Sequence, residues 1–266
     1  MIVEPMKGKA LITGASSGIG LELAKLFAAD GYDLVLVARR RERLDALRRE
    51  VTERHRVRCD VIPSDLASPG AAEGIVRQLD GASGGVDVLV NNAGFGALGP
   101  FAAMDAEAAR RMIQVNVAAL TDLTRLLLPG MVARRRGRIL NVASTAGFAP
   151  GPLMAVYYAT KAYVISLSEA LAEELRGSGV TVTVLCPGPT RTEFQAVANM
   201  GTARLFRLPG VMDAAPVALA GYRGLMAGKR MVVPGWTNLV LPLAIRFSPR
   251  ALVSRVSRLL QERVRG

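Results

Sequence analysis

The sequence predicts an α/β fold: a single open, doubly wound parallel sheet of about seven strands with helices on both faces, followed by a C-terminal helical extension. Three observations predict it. Short apolar runs alternate with longer stretches of helical spacing along most of the 266 residues. The short runs are continuously apolar rather than alternating, as strands buried on both faces must be. A glycine-rich turn joins the first apolar run to the first helical stretch.

The elements follow in order. Lys9–Thr13 is the first strand, and Leu23, Leu26 and Phe27 recur at helical spacing over 19–29, where Gly31 closes the helix. The second strand covers 33–38 (DLVLVA), and a charged helix over 42–53 turns Leu44 and Leu47 inward. Further strands are expected at 57–62, 86–90, 138–142, 180–186 and 231–233. Helices are expected over 106–128, over 156–176 with Gly177 and Gly179 ending it, and over 213–226. The glycines at 81–85 make a loop within the domain. Residues 1–234 form the main domain and 235–266 an extension.

Composition removes several function classes. Half of the residues are apolar and 21% are charged, which excludes disorder. His55 is the one histidine, and Cys59 and Cys186 are 127 positions apart, so neither a Cys/His zinc site nor a disulfide framework is available and no metal is expected. Gly14-x-Ser16-x-Gly18 could be mistaken for a nucleophile elbow, but a lone His55 beside Arg54 and Arg56 makes a poor base for it. The net charge of +12 is concentrated at one end: residues 201–266 hold ten Arg and Lys229 against Asp213 and Glu262. A nearly neutral body argues against nucleic-acid binding, and the basic tail suggests an anionic surface or substrate, or simply a solvated arginine-rich face. No signal peptide and no apolar run of ~20 residues is visible, so the expected location is cytoplasmic, with peripheral membrane contact through the tail allowed.

The turn Thr13-Gly14-Ala15-Ser16-Ser17-Gly18-Ile19-Gly20 follows a strand and opens a helix. Gly14 permits the tight turn, Gly18 lets backbone approach a pyrophosphate, Gly20 lets helix pack on strand, and the N–H groups of Ser16, Ser17 and Ile19 face the phosphates. This is the Rossmann-type dinucleotide arrangement. A ribose-binding acid should end the second strand, but Ala38 stands there and Arg39 and Arg40 follow. A guanidinium matches a 2′-phosphate, so NADP(H) is the expected cofactor; the same arginines could also open a basic surface helix.

Thr13-Gly14-x-x-x-Gly18-x-Gly20, Asn91-Asn92-Ala93-Gly94, Ser144, Tyr157-x-x-x-Lys161 and Pro187-Gly188 together resemble the short-chain dehydrogenase/reductase family over roughly residues 8 to 234. The resemblance implies a catalytic Asn116, Ser144, Tyr157 and Lys161. Chemistry supports the central pair: reducing a carbonyl needs a proton donor at oxygen, and a lysine one helical turn from a tyrosine is expected to lower the phenol pKa from ~10. Ser144 would hydrogen-bond the substrate carbonyl and Asn116 would hold a water linking Lys161 to solvent. The resemblance further assigns Asn92, Ala93, Gly94, Tyr157, Lys161, Pro187, Gly188, Thr190 and Thr192 to the cofactor, with Lys161 holding the nicotinamide ribose. Asp65 and Leu66 match the adenine position, although a turn-capping role for Asp65 is equally open. Thr190 departs from the family's usual apolar residue. Homodimers or homotetramers are implied by resemblance alone.

The lid after Thr190 carries Phe194, Met200, Leu205, Phe206, Leu208 and Met212, with Phe95, Phe148, Leu153 and Met154 on neighbouring loops. An apolar, methionine-rich wall suits a hydrophobic ketone, aldehyde or alcohol. The tail beyond Gly235 begins with an apolar, proline-broken stretch, 236–247. Ser248-Pro249 then reads as N-cap and first residue of a basic amphipathic helix over 249–265. Such a helix lies on an anionic membrane, on the body or on another subunit. The rival from another class is an NADP(H)-binding regulator or scaffold without turnover.

Overall fold

The structure is a computed structural model and describes residues 7–80, 85–198, 200, 203–207 and 210–262. The first half supplies β1 (Lys9–Thr13), α1 (Gly18–Ala29), β2 (Asp33–Ala38), α2 (Arg41–His55), β3 (Cys59–Pro63), α3 (Ala71–Asp80) and β4 (Val88–Asn91). The second supplies α4 (Ala106–Ile113), α5 (Ala119–Ala133), β5 (Gly137–Val142), α6 (Ala155–Glu174) and β6 (Val180–Leu185). After the short β7 (Thr190–Arg191), α7 (Phe194–Val197) and β8 (Met212–Asp213) come α8 (Ala214–Met226), β9 (Met231–Val232), α9 (Trp236–Phe247) and α10 (Arg250–Gln261).

Seven strands form one parallel sheet in the order β3-β2-β1-β4-β5-β6-β9. Helices α1, α2 and α8 cover one face, where Leu23, Phe27, Leu44, Val217 and Leu225 pack on Leu34, Leu36 and Leu140. Helices α3, α5 and α6 cover the other, where Ile75, Leu123, Met131 and Leu175 pack on Leu89, Ile139 and Val182. The order reverses between β1 and β4, so a crevice opens beyond the carboxyl ends of these strands, where a doubly wound sheet binds its ligand.

The expected strands are all present, shifted at most two residues at their ends. Helix α3 is an addition; Ala72, Ile75 and Leu79 at helical spacing bury its inner face. The single helix expected over 106–128 is instead α4 and α5 joined by a π-helical turn, Gln114–Ala118. Its 28 residues are long and apolar enough to cross a membrane by composition, but Ala119, Leu123 and Met131 are buried against the sheet. The stretch expected to be proline-broken is a continuous helix, α9, running through Pro242. Ser248 ends α9 instead of capping the next helix: its hydroxyl turns back to the Ala244 carbonyl at 2.7 Å, and Pro249 holds the cap position of α10. The expected loop at 81–84 and Arg263 and Arg265 lie outside the described residues.

Candidate active site

Three loops meet at the crevice. Gly14 (φ +67°) and Gly18 (φ +58°) occupy the left-handed region that other residues avoid. Gly20 lies behind the crevice, where a Cβ would come within 2.4 Å of Asn92 Nδ2 and of the Gly14 carbonyl. Close helix–strand packing therefore requires that glycine. Ser17 occupies the N-cap of α1 without using its side chain to cap it, so the first turn keeps donors for an anion. Thr13, which the motif quotes only as its first letter, is the knot of the site. Its hydroxyl accepts from the backbone N–H groups of Asn92 and Ala93, at 3.0 and 3.1 Å, and donates to Val90 O at 3.2 Å. Asn92 Nδ2 returns a hydrogen bond to Thr13 O at 2.9 Å.

The two arginines after β2 behave differently. Arg40 donates to the hydroxyls of Ser16 and Ser17, at 2.9 and 3.1 Å, and pairs with Glu193 at 2.7 Å. It braces the glycine loop with its charge already matched. Arg39 is exposed on the crevice wall and has no ion pair among the described residues. Asp65 takes the turn-capping role and stands on the crevice wall. Its carboxylate caps the turn at Ala67 N (3.0 Å), lies on the wall, and pairs with Arg111 at 2.8 Å. Burial raises its pKa, but the bonds from Arg111 and Ala67 outweigh burial and hold it below the ordinary carboxylate value. Arg111 and Glu193 are participants without a recognisable motif, since long-range ion pairs leave no local pattern.

On the opposite side, Pro187 and Gly188 reach the wall after β6, and Thr190 Oγ1 donates to Gly188 O at 2.9 Å. That local bond accommodates the unusual threonine. Thr192 packs beneath Gly18, whose Cβ would meet its methyl at 3.0 Å. Ile19, Leu66, Ala93 and Gly94 complete this part of the wall.

Ser144, Tyr157 and Lys161 converge. Ser144, just past β5, accepts from Ala146 N at 3.1 Å and spends its own proton on a long 3.4 Å bond to Pro187 O. The same hydroxyl also reaches Tyr157, so its one proton has two possible acceptors. Tyr157 and Lys161 project from one face of α6, with the ammonium 5.8 Å from the ring centroid. Lys161 is buried, donates to Val142 O at 2.7 Å, and is pushed down to about 8 by burial, with Cys186 acting the other way. The expected lowering of the tyrosine pKa is absent. Burial raises it, and the Ser144 hydrogen bond offsets only part of that rise. Asn116 stands behind the wall. Its amide donates to Phe95 O (2.9 Å) and Thr160 Oγ1 (3.1 Å), and its oxygen accepts from Phe95 N (3.1 Å). A Cβ at Gly94 would lie 3.1 Å from Asn116 Oδ1 and 3.4 Å from Lys161 Nζ, so Gly94 is the spacer that lets this cluster close.

These groups line one cavity of about 740 Å³ that runs from Arg39 past Tyr157 to the tail. Phe95, Met154, Phe194, Met200 and Leu205 supply the expected apolar wall. Phe148 packs instead with Val164 and Cys186, and Met212 packs under α8 with the sheet core. Leu153, at φ +68°, accepts from Gly99 N through its carbonyl and is absent from the wall. The side chains of Phe206 and Leu208 lie outside the described residues. The tail supplies what the motifs do not announce: Ile245, Leu252, Val256 and Leu260 line the far end, and Gln261 donates to Tyr158 Oη at 2.6 Å. An amphipathic pattern marks a packed face but not what it packs on.

A family model described as short chain dehydrogenase matches residues 8–202. The very-long-chain 3-oxoacyl-CoA reductase of Bos taurus is 37% identical over 190 residues, 70% of this chain, which covers 60% of that longer protein. A short-chain dehydrogenase from Sphingobium yanoikuyae solved with NADPH is 36% identical with a TM-score of 0.82, covering 92% of this chain and 94% of the other. The bulky-bulky ketone specific alcohol dehydrogenase from Comamonas testosteroni is 33% identical with a TM-score of 0.76, covering 91% and 95%.

Proposed function

Because this chain belongs to the short-chain dehydrogenase family and is an NADP(H)-dependent oxidoreductase acting on CH–OH groups, we propose that it interconverts a bulky apolar ketone or aldehyde and its alcohol, with Tyr157 as general acid and base. The observation that carries this reading is the single cavity in which Ser144, Tyr157 and Lys161 stand between a glycine-loop cradle and an apolar chamber. The cradle fits a dinucleotide: two left-handed glycines, an uncommitted helix N-terminus and an Arg39 with no ion pair among the described residues are what a pyrophosphate and a 2′-phosphate need. When bound, NADPH supplies the hydride that the carbonyl carbon accepts.

The chain's residues handle the oxygen. A phenol is protonated at neutral pH and burial raises its pKa further, so Tyr157 enters the reaction as an acid. Ser144 shifts its proton from the long Pro187 contact to the substrate oxygen and stabilises the charge developing there. As Tyr157 gives its proton to the substrate oxygen, the adjacent Lys161 ammonium stabilises the phenolate and passes it a proton, and a lysine titrating at about 8 regains one from solvent. Asn116 acts as a positioning residue that ties the Phe95 loop to α6. A regulator without turnover has no observation in its favour. Family resemblance also suggests a homodimer or homotetramer, and Val132 on α5 with Tyr163 on α6 are exposed apolar positions suited to it.

The test is NADPH consumption by the purified protein with polycyclic and diaryl ketones, acetone and acetaldehyde, with NADH in parallel. Turnover that favours the bulky ketones and NADPH is expected. Activity confined to the small carbonyls would contradict the substrate class, and equal use of NADH would contradict the role of Arg39.

A further inference from the structure

The tail is more than a wall of the cavity. Helix α9 exposes Trp236, Leu239 and Phe247 on one face, the first and last 81% exposed. Helix α10 exposes Leu252, Val256 and Leu259 at i, i+4 and i+7, while Val253, Ser257 and Gln261 form its buried side. Leu252 and Val256 therefore belong both to the cavity lining and to the outer surface, at 54% and 46% exposure, which places them on the cavity rim. Ala244, Ile245 and Ser248, at the end of α9, stand on the same rim. The mouth of the apolar chamber is bordered by the end of α9 and by Leu252 and Val256 of α10, and the two helices together leave six large apolar side chains exposed. Patches of this kind mark a surface built to be covered.

Charge selects the occupant. From residue 236 to residue 261 the sequence holds no acidic residue and four arginines, Arg246, Arg250, Arg255 and Arg258, all exposed. Only Arg258 has an ion pair among the described residues, to Glu262 at 3.5 Å. A second copy of this face would bring arginines against arginines with Glu262 as the one carboxylate beside them, which costs energy. An anionic bilayer meets both features at once: lipid phosphates match the arginines, and Trp236, Phe247 and the leucines enter the boundary between headgroups and acyl chains.

We infer that α9 and α10 dock this protein on an anionic membrane with the mouth of the substrate cavity facing the lipid. An apolar substrate then passes from bilayer to cavity without crossing water; this last clause rests on the proposed function, whereas the docking does not.

Trp236 is the one tryptophan of the chain, so its emission reports on this surface alone. The full-length protein is mixed with vesicles of pure phosphatidylcholine or of phosphatidylcholine with phosphatidylglycerol, floated through a density step, and read by fluorescence. Flotation with the anionic vesicles, a blue shift of Trp236 and quenching by doxyl-labelled acyl chains are expected, all weakening with added salt. Replacing Arg250, Arg255 and Arg258 with glutamine should lower vesicle affinity about fivefold per arginine. Failure to float with unchanged emission overturns the inference. So does a blue shift that grows with protein concentration in the absence of lipid, which would assign the face to a second copy. Neither result bears on NADPH turnover in solution, so failure here is separable from failure of the proposed reaction.

Discussion

At the scale of single residues, burial dominates the site's electrostatics. Lys161 titrates at about 8 against an ordinary 10.5, so the unfolded chain binds that proton more tightly than the folded one. The stability of the wild type relative to Lys161→Met should therefore be lowest below pH 8 and rise as pH climbs from about 8 toward 10.5, as measured by urea denaturation at stepped pH. A difference that falls over that window would contradict a lysine buried at a cost to its charge. Arg39 and Arg40 divide the work. Arg39→Ala removes the exposed guanidinium and should raise the KM for NADPH by about 10- to 100-fold, the worth of a charge-assisted bond, with little effect on NADH. Equal loss with both cofactors in steady-state kinetics would show that Arg39 does not read the 2′-phosphate. The glycines, Ser144, Tyr157 and Lys161 were legible because each sits at a fixed offset within a local motif. Thr13 as a knot, Arg111 on Asp65 and Glu193 on Arg40 were not, because those partners are joined only by the fold.

At the scale of elements, strands were easy to read and helix detail was not. A strand buried on both faces writes itself as a continuous apolar run, which made β2 and β4 plain, whereas the edge strands β3 and β9 are only partly buried. Helix α3 was missed although Ala72, Ile75 and Leu79 keep helical spacing, because it is only ten residues long and interrupted by Gly74. The π turn that carries Asn116 has the same local composition as the helix around it. Beneath the site, a buried chain runs from Thr124 to Asn91 (3.0 Å), Asn141 (2.9 Å) and Ser168 (2.9 Å), linking α5, β4, β5 and α6. Asn141→Ala removes one buried hydrogen bond from each of Asn91 and Ser168, which keep only Thr124 and Val164 O as partners, and should cost about 1–3 kcal/mol in denaturant unfolding. A variant as stable as the wild type would mean that the chain does not hold the catalytic helix to the sheet. At the tail, Gln261→Leu removes the bond that fastens α10 to Tyr158. Protease sensitivity of the C-terminal segment should rise, and an unchanged digestion pattern would deny α10 that fastening.

At the scale of the whole molecule, a nearly neutral body is joined to a basic tail, and the tail lines one end of the cavity. The sequence showed the charge and the amphipathic face but left open whether the body, another subunit or a membrane received them. One helix side meets the body and the other meets solvent, so a single pattern served two surfaces. The central claim is that one cavity combines an NADPH cradle, a tyrosine acid and an apolar chamber. Its most direct test is kcat/KM for the best bulky ketone in wild type and Tyr157→Phe, with NADPH affinity of both measured by fluorescence titration. Turnover in the variant should fall by about 10²- to 10⁴-fold while NADPH binds as before. A Tyr157→Phe protein that still turns over at the wild-type rate would contradict the account.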